Sequence, residues 1–286
     1  MQKLRENLHW YILGLLFVGT LFIWYAVAAE DRAGKLTVAF LDVGQGDGIF
    51  IESPTGVQML IDGGPPGSVL RPLGKMMPFY DRTIDMLIVS NPDKDHFGGF
   101  LDILRAYKVG AMLEPGTVGA SAEYKTLEEL IPKEPAPRIL AARGEKLHLG
   151  GGATLEILFP DRDVSLVSTN DGSIVARLSY GNTSVLFTGD SPQSIEHYLV
   201  SLDGARLKSD VLKVGHHGSR TSTSVDLVGV VAPSMAIISD GKGNSYGHPH
   251  RETLETLAQF QVPVHRTDLE GTIILQSDGE TIQIKK

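Results

Sequence analysis

The chain of 286 residues carries 26 Lys and Arg against 34 Asp and Glu, a formal net charge of −8, and it has no cysteine. The missing thiols exclude disulfides and thiolate ligands together, so any bound metal must sit on nitrogen and oxygen. No basic run offsets the acidity; bulk charge therefore gives no support to a nucleic-acid partner, whereas bound divalent ions would cancel part of it.

Between Trp10 and Ala29 no charged residue occurs. A helix of that length spans about 30 Å, the thickness of a hydrocarbon core. Trp10-Tyr11 and Trp24-Tyr25 stand near its two ends, where amphipathic rings favour the membrane interface. Lys3 and Arg5 precede the span and Glu30-Asp31 follows it, an asymmetry that keeps the N-terminus in the cytoplasm. Ala26-Val27-Ala28 forms an A-x-A site, so a cleaved signal peptide, giving a secreted protein, is the alternative. The run is longer than the about 7–15 apolar residues of a signal peptide, which favours the anchor. The expected organisation is a cytoplasmic tip and transmembrane anchor over residues 1–32, then one domain over 33–286 on the extracytoplasmic side of the cell membrane.

After the span, LTVAFL (36–41) and GIFIES (48–53) read as two strands joined by the turn GQGD, whose glycines suit positive φ. VQMLIDGG (57–64) is a third strand, and DMLIVS (85–90) is a short continuous apolar run, as in a strand buried on both faces. FGGFLDILRAY (97–107) has helical spacing, KVGAMLE (108–114) is a strand, and residues 121–131 read as a helix with Ser121 as N-cap. A proline-rich loop follows at 132–137. The second half repeats the style. ATLEILFP (153–160), SIVARLSY (173–180), TSVLFTGD (183–190), DVLKVG (210–215) and MAIISD (235–240) are strands. Helices are expected from Ser191-Pro192, from Val225, and over HPHRETLETLAQF (248–260), the last with proline in its first turn. Short strands in VPVHR, TIILQS and TIQIKK close the chain. Strand clusters with interspersed helices in both halves predict two packed sheets with helices outside.

Polar residues gather where the apolar strands end. Asp62 follows MLI, Asp93, Asp95 and His96 follow LIVS, Asp190 follows VLFTG, and His216-His217 follows VLKVG. His248 lies between MAIISD and the next helix. Taken singly, an Asp before or after glycine is a turn former, a His-His-Gly stretch is a turn with an exposed imidazole, and His248 caps a helix. Five separate strand ends carrying metal-type ligands point instead to one metal site at a sheet edge. GQGD lacks the Lys-Ser/Thr of a phosphate-binding loop, and a hairpin turn accounts for it.

These segments together resemble the metallo-β-lactamase fold, in the branch of the extracellular domain of ComEC-type competence proteins. The resemblance rests on FLDVGQGDGIFIESP (40–54), LIDGG (60–64), DKDHFGG (93–99), NDGSIVARL (170–178), LFTGD (186–190), LKVGHHGS (212–219) and YGHP (246–249). It implies an α+β fold, a four-layer αββα sandwich, carrying two divalent ions, Zn²⁺ or Mn²⁺, at one edge. Residue by residue it implies Asp95, His96, Asp190 and His248 for one ion, and Asp93, Asp190 and His216 for the other, with Asp190 bridging. The branch has H-x-D-x-D-H where this chain has N-x-D-x-D-H; Asn91 is then a weaker metal ligand, and the site of Asp93, Asp190 and His216 is the more weakly filled.

Two ions at a bridging aspartate suit phosphodiester hydrolysis. On this reading Asp95 ligates and orients the attacking water, and His217 protonates the leaving oxygen. The resemblance implies a membrane-tethered phosphodiesterase or nuclease acting on single-stranded DNA during uptake, with a separate channel protein as partner. The alternatives are an esterase of another cell-envelope phosphodiester and a non-catalytic binding domain.

Overall fold

The computed structural model describes residues 7–30, 34–131 and 136–285. Lys3, Arg5, Asp31 and residues 132–135 of the proline-rich loop lie outside the described residues. The chain forms two compact units, Met1–Gly34 and Lys35–Lys286.

Among the described residues, the first unit carries the helix Leu8–Glu30. Its stretch Leu8–Tyr25 has a mean hydropathy of 1.6 and is long and apolar enough to cross a membrane. Thr20 donates its hydroxyl back to the Leu16 carbonyl at 2.8 Å, so this polar group is satisfied within the helix.

Among the described residues, the second unit holds two sheets. Its strands in chain order are β1 (Leu36–Phe40), β2 (Ile49–Glu52), β3 (Gln58–Ile61), β4 (Thr83–Ile88), β5 (Lys108–Glu114), β6 (Arg138–Leu140), β7 (Lys146–Gly150) and β8 (Ala153–Phe159). There follow β9 (Val175–Tyr180), β10 (Thr183–Phe187), β11 (Val211–Lys213), β12 (Met235–Ile238), β13 (Val264–Arg266), β14 (Ile273–Ser277) and β15 (Ile282–Ile284). One sheet has the order β15-β14-β1-β2-β3-β4-β5-β6, the other β13-β12-β11-β10-β9-β8-β7. β3 to β6 run parallel in the first, and β10 to β13 in the second.

Period-two alternation divides each strand between two cores. Leu36, Val38 and Phe40 of β1 meet Val185 and Phe187 of β10 between the sheets, while Ala39 and Leu186 face outward. The rings of Phe40 and Phe187 lie 6.4 Å apart in this inner layer. Each fully buried side chain of this kind contributes about 1.5–3 kcal/mol relative to exposure. Outside the first sheet pack Phe100–Ala106 and Ala122–Leu130; outside the second pack Gln193–Asp203, Val225–Val231 and Arg251–Gln259. The layers are therefore αββα, as the resemblance implied. Ser121 caps its helix by accepting from the Tyr124 amide at 3.1 Å.

Three local readings differ from the sequence-based ones. The helix expected over 97–107 is two pieces, Lys94–Phe97 and Phe100–Ala106, broken at Gly98-Gly99. A Cβ at Gly98 would lie 2.4 Å from Pro66 and one at Gly99 2.1 Å from the Gly63 carbonyl, so this break is where the chain passes against the Gly63–Pro66 segment. Pro249 stands ahead of its helix, which begins at Arg251 with His250 at the cap position. β6 and β7 were not expected from the sequence. They are outer strands of their sheets, half exposed, and lack the apolar run that marks the inner strands.

Candidate metal centre

The C-terminal ends of both parallel sets open on one edge, and each contributes a loop to it. Asp62 leaves β3 with a positive φ of 58°, which turns its carboxylate toward the end of β4. There it accepts the Ser90 amide at 2.8 Å and the Ser90 hydroxyl at 2.5 Å, and lies 2.8 Å from His96 Nδ1. A carboxylate only accepts, so Nδ1 of His96 carries a proton and Nε2 is the nitrogen left for the site, able to give its lone pair to an ion. Nε2 lies 3.1 Å from Asp190 Oδ2.

The same logic applies across the sandwich. After β11 the turn Gly215–Gly218 places His216 and His217 in the left-handed region, with φ of 48° and 53°. His217 Nδ1 lies 3.0 Å from the Ser239 carbonyl, another group that only accepts, so its Nε2 is also free. That atom faces Asp95 Oδ2 at 3.4 Å and Asp190 Oδ2 at 3.8 Å. The two imidazole rings stand 5.2 Å apart. His96 Nε2, His217 Nε2 and Asp190 Oδ1 are all buried without a hydrogen-bond partner. Ligand atoms of Asp95, His96 and His217 lie within 4.8 Å of one another, as do those of Asp47, Asp190 and His217. Buried polar atoms without partners are costly, and converging lone pairs on imidazole and carboxylate are the donor set of a divalent ion. The residues fit such an ion.

The other expected site residues ring this group. His216 Nε2 lies 3.6 Å from Asp190 Oδ2, while its Nδ1 lies 3.2 Å from the Thr221 hydroxyl. His248 is half buried at the rim, its ring 5.7 Å from that of His216 and 6.3 Å from that of His217. Gln45 offers its amide nitrogen to His248 Nδ1 at 3.4 Å, since its oxygen already accepts from the Gly241 amide at 3.2 Å. His248 Nε2 then carries the proton. Asp93 accepts the Thr169 hydroxyl at 2.9 Å. Asn91 donates to Asn170 Oδ1 at 2.7 Å and to the Ser173 hydroxyl at 3.3 Å, and its oxygen accepts the Asp93 amide at 3.0 Å. Both ends of the Asn91 amide are therefore engaged by protein.

Electrostatics reinforce the geometry. Burial alone would raise the Asp190 carboxyl, but the neighbouring His96 and His217 hold it well below the usual carboxylate range. Burial opposes the charging of His96, yet Asp190 and Asp62 lift it well above its ordinary value. His217 is lifted to about 10 against the same burial, by Asp190 and Asp47. His248 moves the other way, down to about 4, through burial and the neighbouring His217 and His216 imidazoles. The buried carboxylates thus draw cationic charge into the site, in the form of protons when nothing else supplies it.

Sequence reasoning missed Asp47, Lys213 and Gln45, and it counted Asp62 among the strand ends without giving it a role. Lys213 Nζ lies 2.7 Å from Asp47 Oδ2, and both side chains are almost completely buried. The available signal was a lysine inside the apolar VLKVG strand, which requires a buried partner.

Comparison with known proteins agrees with this architecture. Residues 41–238 match the Metallo-beta-lactamase superfamily, whose members are generally metal-dependent hydrolases that bind divalent ions, often two. The chain is 31% identical to ComE operon protein 3 of Bacillus subtilis, over 88% of this chain and 34% of that protein. It is 30% identical to Recombination protein 2 of Haemophilus influenzae, over 94% of this chain and 32% of that protein. With Competence protein ComA of Neisseria gonorrhoeae it shares 29% identity, over 91% and 34% of the two chains. It thus spans about a third of the length of these curated relatives. Among solved structures, CmlA, a diiron β-hydroxylase from Streptomyces venezuelae, superposes with a TM-score of 0.56 at 16% identity, covering 85% of this chain and 54% of that one. Zn²⁺-bound PqqB from Methylobacterium extorquens gives 0.51 at 12%, covering 78% and 85%. At such identities the likeness speaks for the fold alone. With a family match across most of the domain and the αββα layers in place, the chain belongs to the Metallo-beta-lactamase superfamily.

Proposed function

We propose that the second unit is a metal-dependent phosphodiesterase acting on single-stranded DNA in competence-type uptake, tethered by Leu8–Glu30 with the unit on the extracytoplasmic side. The observation that carries the metal-dependent part is the convergence of three buried, partnerless ligand atoms, His96 Nε2, His217 Nε2 and Asp190 Oδ1. The competence names of the relatives support the DNA-uptake part. A separate membrane channel is the partner this reading calls for.

Asp95, His96, Asp190 and His217 would hold the tighter ion, with Asp93, Asp190 and His216 available to a weaker second. Such an ion, Zn²⁺ or Mn²⁺, supplies Lewis acidity toward a phosphoryl oxygen and lowers the pKa of a water. The chain's own groups do the rest. Asp95, buried less deeply than His96, orients the attacking water through its carboxylate. His217, fully buried with Nε2 among carboxylates, suits a ligand better than the proton donor expected from sequence. His248 takes the outer role, since Gln45 occupies Nδ1 and leaves an Nε2–H donor at the rim for a phosphate or leaving-group oxygen.

The test compares single-stranded DNA with the small diester bis-p-nitrophenyl phosphate, each with Mn²⁺ or Zn²⁺, using the wild type and Asp190→Ala. Metal-dependent cleavage of DNA, lost in Asp190→Ala, is expected. Cleavage of the small diester alone would move the substrate to another envelope phosphodiester, and cleavage of neither would end the enzymatic reading.

A further inference from the structure

The GQGD turn looks from sequence like a hairpin and nothing more, yet it touches the segments that carry Asp95, His217 and His248. The Asp47 amide donates to the Asp95 carbonyl at 3.2 Å, and the Asp47 carbonyl accepts the Gly64 amide at 2.6 Å. Gly46 packs so closely that a Cβ there would lie 2.1 Å from the Asp95 carbonyl oxygen. Gln45 reaches His248, as described. The Asp47 carboxylate holds the Lys213 ammonium with Oδ2, and its Oδ1, which has no hydrogen-bond partner, lies 3.4 Å from His217 Nδ1. The remaining contact of Lys213 is the Val214 carbonyl at 3.0 Å.

We infer that Asp47, locked by Lys213 across the two sheets, is a positioning residue that sets the ring of His217 and the backbone of Asp95 for metal binding. This rests on the metal-centre reading above. A buried ion pair is a poor source of stability, because stripping water from both charges offsets most of their attraction, and an apolar pair of similar volume serves as well or better. What an apolar pair lacks is a carboxylate oxygen fixed beside His217 Nδ1. A second acceptor there, next to the Ser239 carbonyl, holds the ring's orientation and makes Nε2 a stronger donor to an ion. The pair also joins the turn after β1 to the end of β11, one from each sheet.

The experiment separates positioning from packing. Full-length chain in detergent is titrated with Zn²⁺ against a chromophoric chelator, and the thermal midpoint of the Zn²⁺-free form is measured in parallel. Lys213→Met alone strands Asp47 as a buried unpaired charge and lowers the midpoint. The double variant Asp47→Asn with Lys213→Met removes both charges and is expected to regain the wild-type midpoint while binding Zn²⁺ about 10–100-fold more weakly. Asp47→Asn with Lys213→Gln, which keeps a hydrogen bond across the sheets, is the second pair should the first not fold. A charge-free pair that recovers both midpoint and Zn²⁺ affinity overturns the inference and leaves the ion pair as packing. A wild type that binds no Zn²⁺ overturns instead the metal reading on which the inference stands.

Discussion

The two sides of the site are built differently. On the deep side, His96 and His217 each have Nδ1 engaged by an acceptor, Asp62 or the Ser239 carbonyl, and Nε2 left bare. On the other side, the equally buried Asn91 spends both ends of its amide on Asn170, Ser173 and the Asp93 amide, and Asp93 gives one carboxylate oxygen to Thr169. The contrast teaches that ligand-type residues at a strand end are not equivalent. Which atom of each is already satisfied decides whether an ion has anything to hold.

Asp190 lies against both sides, 3.1 Å from His96 and 3.6 Å from His216, so its loss should have the largest effect. Asp190→Ala is expected to abolish metal retention and to lower hydrolysis by several orders of magnitude; metal analysis and rate measurement on the same sample check both. Next, the deep and shallow histidines should part company. His217→Ala should lose the retained ion, whereas His248→Ala should keep it and slow hydrolysis by about 10²–10⁴-fold, the range for losing one general acid. Equal metal loss in the two variants would erase the distinction between the sides.

A smaller change should follow from Asn91→His. An imidazole at this position would release the hydrogen bonds to Asn170 and Ser173 and offer nitrogen to the weaker site. Calorimetric titration with Mn²⁺ should then register a tighter second equivalent than in the wild type. Unchanged stoichiometry would mean that the Asn91 side is closed by its own loop whatever stands at this position.

The smallest effect concerns pH. In metal-free protein the His217 pKa is raised to about 10, against about 6.5 for an unfolded chain. A raised pKa contributes stability that is complete below about 6.5 and is lost as pH rises through about 10. The thermal midpoint of chelator-treated protein should therefore fall across that window, and the fall should be shallower in His217→Gln.

The layers were legible in the sequence because inner strands such as DMLIVS and TSVLF must be apolar on both faces, and because Ser121 announces its helix. The break at Gly98-Gly99 was not, since the helical spacing continues through it and the Gly99 amide leaves the helix only to donate to the Gly64 carbonyl at 2.9 Å. At the site, the ligand-type residues could be collected from strand ends, but their division into satisfied and bare could not. That division depends on Ser239 and Asn170, ordinary polar residues far away in sequence from the histidine and asparagine they engage. Asp47 was hidden for another reason: a turn between two strands already explained GQGD, and its partner Lys213 lies 166 positions away.

The most direct test is where a bound ion sits. Anomalous diffraction from crystals of the protein soaked in Zn²⁺ should put the strongest peak at bonding distance from the Nε2 atoms of both His96 and His217, with Asp190 beside it. A strongest peak held by Asp93, His216 or His248 without His217, or no peak at this edge, would contradict the account.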